Sequence, residues 1–280
     1  MVRKIRHRPI RTYGSAPERR DPREGARKTN PREDRKLMHV AGLPAVEALF
    51  ATAPERIERL FFEASLKNKT GQMCLALAQR HKTYRVVTAV ELEKVAGTAM
   101  HGGIVALAAP TQVLTFDTAQ AAEWARTGEP LLVLDGVGNP HNLGAIARTA
   151  AFFGLKRLVI SSHPEQASPS DAAYRVARGG LEHVTIYRAE KIADALKRLR
   201  KDYMVVGTAL ERGKPMAAYR GGSRPLCVVL GNEEEGLPRD TLAACEGIVT
   251  LGGGGAVQSL NVAASAAILI HELVAGGARA

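Results

Sequence analysis

The sequence predicts an α/β fold built on a mainly parallel sheet, and three observations lead to that prediction. From Pro130 onward, short apolar runs recur about every 20 to 30 residues, and helical patterns fall between them. Strict alternation of strand and helix is typical of a parallel sheet that is covered on both faces. Several of the runs end in glycine-rich turns, which bring bare backbone close to a ligand at the carboxyl edge of such a sheet.

The first 36 residues are strongly basic. They hold 13 Lys and Arg against 5 Asp and Glu, a net charge of +8 within a total of +11 for the chain of 280 residues. A segment with so few apolar residues cannot bury enough surface to offset the entropy of ordering it, so we expect residues 1–36 to form a disordered tail. Two interpretations stay open: a solubilising arm, or an arm that holds RNA phosphates without reading sequence.

Composition also limits the class of protein. The positive charge favours an acidic partner, first a nucleic acid and second a membrane surface. No apolar run is long enough to span a membrane, and no hydrophobic segment follows the basic N-terminus as it would in a secretory signal. The three cysteines, Cys74, Cys227 and Cys245, match neither a disulfide framework nor a zinc site. We therefore expect a cytoplasmic protein without a structural metal.

Residues 37–110 predict a small α/β domain. Apolar and amphipathic patterns alternate there and predict helices at residues 45–50, 73–81 and 89–96, and strands at residues 57–62, 84–87 and 104–107. Residues 111–129 follow as a connecting segment with an amphipathic stretch at Thr118–Arg126, in which we expect Trp124 to serve packing.

Residues 130–280 predict the parallel sheet itself. Apolar runs predict strands at residues 131–134, 158–160, 184–187, 204–207, 226–230 and 248–251. Periodic patterns between and after them predict helices at residues 143–153, 172–178, 191–199, 241–245 and 262–273. Three polar clusters follow strands of this set, and they are therefore expected at one edge of the sheet.

The first cluster follows the strand at residues 131–134. A glycine-rich turn leads into a helix that we expect to open near Asn142, which could cap it. Arg148 lies deeper in the same helix among small apolar residues. We expect its guanidinium to be buried on the same side of the helix as Asn142, where it would suit a phosphate. The alternative is an arginine that extends into solvent.

The second and third clusters follow the last two strands. Glu233 belongs to a run of three carboxylates after Gly231, and these predict either a solvated acidic turn or a single glutamate that orients backbone or ligand. The third cluster contains four glycines and then Ser259 and Asn261. Either of these two could be an ordinary N-cap. The glycine spacing is not G-x-G-x-x-G, which excludes a nicotinamide-cofactor enzyme.

Taken together and in this order, the clusters resemble a known family. The runs Asn-x-Gly-Ala-x-x-Arg-Thr-Ala from Asn142, Leu-Gly-x-Glu-x-x-Gly-Leu from Leu230 and Val-Gln-Ser-Leu-Asn-Val from Val257 are similar to motifs of the SpoU/TrmH family. This family belongs to the SPOUT superfamily, and its members are RNA ribose 2′-O-methyltransferases. The resemblance covers residues 130–275 strongly. It extends less strongly to residues 39–108, which look like the small RNA-recruiting domain of many members, a domain similar to ribosomal protein L30e.

The resemblance implies a fold and a site. The fold would be an α/β sheet whose C-terminal segment threads a loop as a trefoil knot, with an L30e-like domain at residues 37–110 and the methyltransferase domain at residues 130–280. The knot loops would hold S-adenosylmethionine largely through backbone contacts, which glycine permits. By motif, the donor would be lined by Gly231, Leu251 and Leu260. The polar catalytic constellation would consist of Asn142, Arg148, Glu233, Ser259 and Asn261.

The implied reaction is in-line transfer of a methyl group to a ribose 2′-oxygen of ribosomal or transfer RNA. An arginine stays protonated, so we expect Arg148 to clamp the adjacent phosphate and hydroxyl and to stabilise the developing alkoxide, instead of acting as an ordinary base. The family also implies a homodimer through the knot region, in which each site is completed by the partner.

One departure from the family pattern lies in the glycine run. Many members have Pro-Met where this chain has Gly252-Gly253, and glycine lacks both rigidity and a hydrophobic wall. A second interpretation therefore stays open: an RNA-binding or ribosome-assembly factor on the same scaffold that no longer methylates. The intact polar residues of the three motifs favour the enzyme.

Overall fold

The computed structural model describes residues 37–275, and the tail expected at residues 1–36 lies outside the described residues. Within this range the strands form two sheets. The first is four-stranded, and its strands are Met38–Ala41 (β1), Ile57–Phe62 (β2), Thr83–Val86 (β3) and Ile104–Ala108 (β4). This sheet has the order β1-β4-β2-β3, with β4 antiparallel to β1 and β2, and β3 parallel to β2. Its helices are Leu43–Thr52 (α1), Lys67–Gln79 (α2) and Ala89–Ala96 (α3).

The second sheet is seven-stranded and parallel throughout. Its strands are Leu114–Thr115 (β5), Leu131–Leu134 (β6), Arg157–Ser161 (β7), Thr185–Ala189 (β8), Met204–Thr208 (β9), Leu226–Leu230 (β10) and Gly247–Val249 (β11). This sheet has the order β11-β9-β10-β6-β7-β8-β5. Its helices are Thr118–Arg126 (α4), Pro140–Phe152 (α5), Asp171–Ala177 (α6), Ile192–Leu199 (α7), Arg239–Ala243 (α8) and Val262–Ala275 (α9). The predicted α/β fold with a mainly parallel sheet is confirmed.

Local sequence explains where several helices begin and end. Thr88 and Glu91 form a capping box at the start of α3, in which each side chain bonds the other's backbone N–H. Gly97 ends that helix in the left-handed conformation. Asp117 caps α4 by accepting the N–H of Ala119 at 2.9 Å. These helices have the bounds that the periodicity predicted.

The start of α5 differs from its prediction. The cap is Asn139, whose side chain accepts the N–H of His141 at 2.9 Å, and Pro140 occupies the first helical position. Proline suits that position because its missing N–H has no helical partner there. Asn142 therefore lies inside the first turn and is buried, and the alternative in which it caps the helix is wrong.

The two sheets share one hydrophobic core. Val40 and Leu60 from the four-stranded sheet belong to the same buried cluster as Leu143 and Tyr174 from the seven-stranded side. Trp124 is also buried, against Phe116 and Tyr187 at ring-centroid distances of 6.3 and 5.1 Å, which confirms its predicted packing role.

Polar contacts hold the sheets together as well. Arg56, which precedes β2, donates to the Glu182 carboxylate at 2.7 Å, to the Thr111 hydroxyl at 2.8 Å and to the Tyr174 hydroxyl at 3.3 Å. The side chain of Glu182 is only 4% exposed. His39 of β1 contacts Asp171, the first residue of α6, through both its backbone N–H and its ring.

Candidate active site

The site lies where the order of strands reverses direction along the sheet. From β6 the chain proceeds to β7 and β8 on one side, and then crosses to β9, β10 and β11 on the other. Ligands of open α/β sheets bind beyond the carboxyl ends of the strands at such a switch point. Here that point is the crevice between β6 and β10, which are hydrogen-bonded neighbours.

An open cavity of about 1170 Å³ lies at this edge. It is bounded by the segments that follow β9, β10 and β11, and it is somewhat larger than the range of about 300–1,000 Å³ that is common for small-molecule sites. Of the residues predicted from the sequence, Gly231, Glu233, Leu251, Ser259 and Leu260 line it. All three residues expected to contact the methyl donor are among them.

The glycines of this edge serve two different purposes. A Cβ on Gly231 would overlap the carbonyl group of Gly236, so only bare backbone fits in this turn. Gly252, Gly253 and Gly255 also line the cavity, but a Cβ on any of them would meet no atom within 4 Å. Their backbone faces open space, which leaves peptide N–H and C=O groups accessible to a ligand.

Asn142 joins the three sequence motifs physically. Its side-chain amide donates to the carboxylate of Glu233, and its carbonyl oxygen accepts from the side-chain amide of Asn261 at 3.2 Å. These contacts bridge 91 and 119 residues of sequence. The amide of Asn142 is thus fixed in orientation at the boundary between the loop after β10 and the start of α9.

Asn261 is an N-cap, as one of its two alternative predictions had it, and it also contacts another motif residue. Its side-chain oxygen accepts the N–H of Ala263 at 2.8 Å, so it caps α9. Its side-chain nitrogen donates to Asn142. Ser259, two residues earlier, is exposed and lines the cavity, where its hydroxyl is available to a ligand.

Arg148 is placed differently from the expectation. Its side chain is exposed, whereas Asn142 is buried. Six residues of an α-helix turn through about 600°, so the two residues lie about 120° apart around the axis. The expectation of a buried guanidinium on the same side as Asn142 was wrong. Within residues 37–275, the guanidinium has no hydrogen bond or ion pair.

Sequence reasoning missed two residues that shape this edge. Asn232 accepts the N–H groups of Glu234 and Glu235 and donates to the carbonyl of Gly136, so it folds the acidic turn and ties it to the loop after β6. An asparagine followed by acidic residues in a turn is a recognisable Asx-turn signal. Asp135 is buried at the end of β6 and accepts from the Thr241 hydroxyl at 2.6 Å, a pairing that no local pattern indicates.

Within the described range, no cluster of three or more His, Cys, Asp and Glu side chains is arranged to hold a metal ion. None of the helices in residues 37–275 combines the length and the apolar character that a membrane crossing requires.

Family models and curated relatives match both parts of the chain. A model of the SpoU rRNA Methylase family matches residues 129–271, and one for RNA 2′-O ribose methyltransferase substrate binding matches residues 40–114. An uncharacterized tRNA/rRNA methyltransferase of Escherichia coli O157:H7 is 34% identical over 83% of this chain, which spans 66% of that relative's length. A 23S rRNA (guanosine-2′-O-)-methyltransferase of Acinetobacter baylyi is 33% identical over 82% of this chain and 94% of its own.

Solved structures share the fold. An AdoMet-bound rRNA methyltransferase from Sinorhizobium meliloti superposes with a TM-score of 0.70 at 21% identity, covering 86% of this chain and 88% of that one. A second structure, described as an RNA 2′-O ribose methyltransferase, also gives a TM-score of 0.70 at 21% identity, over 88% of this chain and 91% of that one.

Proposed function

We propose that the site at the carboxyl edge of the sheet methylates a ribose 2′-hydroxyl of ribosomal RNA, because the chain belongs to the SpoU rRNA methylase family. The chain is an S-adenosylmethionine-dependent RNA 2′-O-methyltransferase. The observation that carries the site assignment is the convergence of three distant motifs on Asn142, beside a cavity with exposed glycine backbone.

The cavity fits S-adenosylmethionine in size and chemistry. When bound, this cofactor supplies an electrophilic methyl group on a sulfonium. Gly231, Leu251 and Leu260 would line it, with apolar contact from the leucines and backbone contact from the glycine turn. Accessible peptide groups of the glycine run can bond the polar ends of a nucleoside and an amino acid. Size and lining together leave room for a ribose beside the donor.

The polar residues would orient and activate the ribose. Asn142 holds Glu233 and Asn261 in place, so these side chains are positioned before RNA arrives. Ser259 offers a hydroxyl at the cavity wall. Arg148, always protonated, would clamp the neighbouring phosphate and stabilise the developing alkoxide.

The exposed position of Arg148 supports a site completed by a second subunit. Large apolar side chains are exposed nearby: Phe152 on α5 is 82% exposed, Ile268 on α9 41%, and Leu260 at the cavity 53%. A self-complementary contact between two copies would cover such residues. We therefore expect a homodimer through this region, and sedimentation as a monomer at micromolar concentration would contradict it.

The chain would be organised as a recruiting and a catalytic part. The match to a substrate-binding family over residues 40–114 supports an L30e-like RNA-binding domain at residues 37–110, with residues 111–129 as a connection and residues 130–280 as the methyltransferase domain. We also expect a cytoplasmic location, which cell fractionation tests.

The C-terminal segment would thread as a trefoil knot. Residues 251–260 line the same cavity as the loop after β10, and Asn261 bonds Asn142 beyond it. A stably folded domain fused to the C-terminus should then slow refolding from urea, because threading must precede packing. An unchanged refolding rate would speak against a knot.

The target is tested with the full chain, methyl-labelled S-adenosylmethionine and ribosomal RNA from cells that lack the protein. We expect label in ribose 2′-O-methyl groups of 23S rRNA, with a guanosine as the first position to examine because a relative of that specificity aligns over most of this chain. Label in transfer RNA alone would refute the ribosomal target. Absence of donor binding in calorimetry would favour the alternative, a non-catalytic RNA-binding or ribosome-assembly factor.

A matched pair of variants tests the site. Asn142→Asp places a second carboxylate against Glu233 and should lower turnover on the order of 100-fold, since both bridging contacts depend on the amide. Asn139→Asp makes the same change three residues earlier, where aspartate caps a helix equally well, and should leave turnover within about twofold. Equal effects of the two variants would contradict the role of Asn142.

A further inference from the structure

Two neighbouring glycines lie between the four-stranded sheet and the helix that carries Arg148. Gly179, with φ +96°, faces α1: a Cβ there would lie 2.9 Å from the Cβ of Ala48 and 3.0 Å from the carbonyl oxygen of Pro44. Gly180 faces α5: a Cβ there would lie 2.6 Å from the Cα and 3.0 Å from the backbone nitrogen of Arg148. Neither position has room for a side chain, and the two glycines contact different helices.

The same layer of the molecule is held tightly on both sides. On the side of the four-stranded sheet, the Asp171 carboxylate accepts from the His39 backbone at 3.0 Å, and Glu182 binds Arg56. On the side of α5, a Cβ on Gly144 would overlap the carbonyl of Ala173 in α6. Contacts between bare backbones contain no side-chain rotamers that could absorb a displacement, and close-packed interiors transmit strain.

We propose that Gly179 and Gly180 form a spacer of bare backbone that fixes Arg148 relative to the RNA-recruiting sheet. Both are positioning residues, since they act through α1 and α5 and not on the reacting atoms. RNA held by the four-stranded sheet therefore meets the guanidinium in a fixed register, which restricts the riboses that can be methylated. This inference rests on the proposed function, in which the sheet recruits RNA and Arg148 acts on the ribose.

The two glycines affect different kinetic constants. Gly180→Ala pushes α5 at Arg148, so kcat should fall by about 10- to 100-fold while KM for RNA and affinity for S-adenosylmethionine change less than about twofold, since a misplacement of about 1 Å can cost on the order of 100-fold. Gly179→Ala pushes α1 and with it the four-stranded sheet. It should raise KM for RNA by about 10-fold, with a smaller change in kcat.

Controls separate these contacts from the general cost of replacing glycine. Gly128→Ala places alanine at φ +73° with no atom within 4 Å, so it carries backbone strain without a clash. Gly222→Ala adds a methyl group in open space outside the RNA-recruiting part. Both should keep kcat and KM within about twofold of the wild type. The double variant Gly179→Ala with Ala48→Gly removes the nearer of the two clashing atoms and should recover the RNA KM in part.

The experiment measures kcat and KM with the full chain, S-adenosylmethionine and unmethylated ribosomal RNA. The spacer is supported if the wild type methylates RNA, Gly180→Ala lowers kcat and Gly179→Ala raises the KM for RNA. The spacer is overturned, and the proposed function stays intact, if the wild type methylates RNA but neither variant changes kcat or KM. The same holds if Ala48→Gly does not restore the RNA KM of Gly179→Ala. A wild type that methylates no RNA refutes the proposed function instead.

A further variant covers the case in which Gly180→Ala does not fold. Ala48→Leu adds bulk against Gly179 from the opposite side and leaves α5 in place. It should raise the RNA KM as Gly179→Ala does, and an unchanged RNA KM would refute the spacer.

Discussion

The contact between Arg56 and Glu182 predicts a large loss of stability when the arginine alone is removed. Arg56→Met keeps much of the aliphatic volume but leaves the Glu182 carboxylate without its cation. The Glu182 side chain is 4% exposed and that of Arg56 17% exposed, so solvent cannot compensate. One carboxylate oxygen of Glu182 is already buried without a hydrogen bond within the described structure, which makes the remaining charge still more costly.

The size of the effect follows from the burial. Removing one partner of a buried ion pair costs about 3–5 kcal/mol. In a protein of 150–250 residues, each kcal/mol of lost unfolding free energy lowers Tm by about 2–4 °C, so Tm should fall by about 6–20 °C. The double variant Arg56→Met/Glu182→Gln leaves no buried charge. It should recover at least about 1 kcal/mol relative to the single variant, since two neutral partners avoid the desolvation penalty.

Urea and thermal unfolding followed by circular dichroism measure this difference. Arg85→Met is the matched control, because Arg85 is exposed on β3 and its removal should change stability by less than about 0.5 kcal/mol. If Arg56→Met were as stable as Arg85→Met, or if the double variant were less stable than Arg56→Met, the buried pair would not have the energetic role inferred from its geometry.

Three further predictions concern single side chains. Arg148→Lys keeps the charge but loses the planar fork, so turnover should fall about 100-fold with unchanged donor affinity in calorimetry; near-normal turnover would remove its role. Burial raises the pKa of Asp171, but hydrogen bonds from His39 outweigh burial and lower the pKa overall. A carboxylate whose pKa is lowered by folding stabilises the folded state, and this stability is lost as the pH falls through that pKa. Asp171→Asn should therefore flatten the decline of Tm below about pH 4. A decline as steep as that of the wild type would contradict this. Burial raises the pKa of Cys245 to about 11 and that of Cys227 further, so both should resist iodoacetamide at pH 8 in the native protein but react in urea; fast native labelling would contradict this.

The parallel sheet was largely predictable because its strands are short apolar runs with clear ends. The bounds of β6 and β10 agree with the runs that predicted them. The strand β1 was missed because His39 interrupts its short apolar run, and β5 was missed because two residues are too few to show a period. The helix α2 begins at Lys67, six residues before its predicted start, because its first turns are polar and carry no apolar periodicity.

The candidate site was predictable as a set of residues but not as a set of contacts. Motif resemblance named Asn142, Glu233 and Asn261, yet nothing in their order indicates that one amide would bond the other two side chains. The contact between Asn142 and Glu233 depends on the sheet order, which places the strands that precede them, β6 and β10, side by side although nearly one hundred residues separate them. The Asn232 turn was open to prediction, whereas the buried pair of Asp135 and Thr241 depends on tertiary packing alone.

The exposure of Arg148 follows from helix geometry combined with the burial of Asn142. The two residues lie about 120° apart on α5, so a single straight helix cannot point both side chains in the same direction. Since Asn142 is fixed by Glu233 and Asn261, rotating α5 to bury Arg148 would break both hydrogen bonds. The contact between α5 and Gly180 opposes the same rotation. Under the proposed function, we therefore expect Arg148 to meet the ribose from outside the cavity of its own chain, either across a subunit boundary or through the RNA backbone.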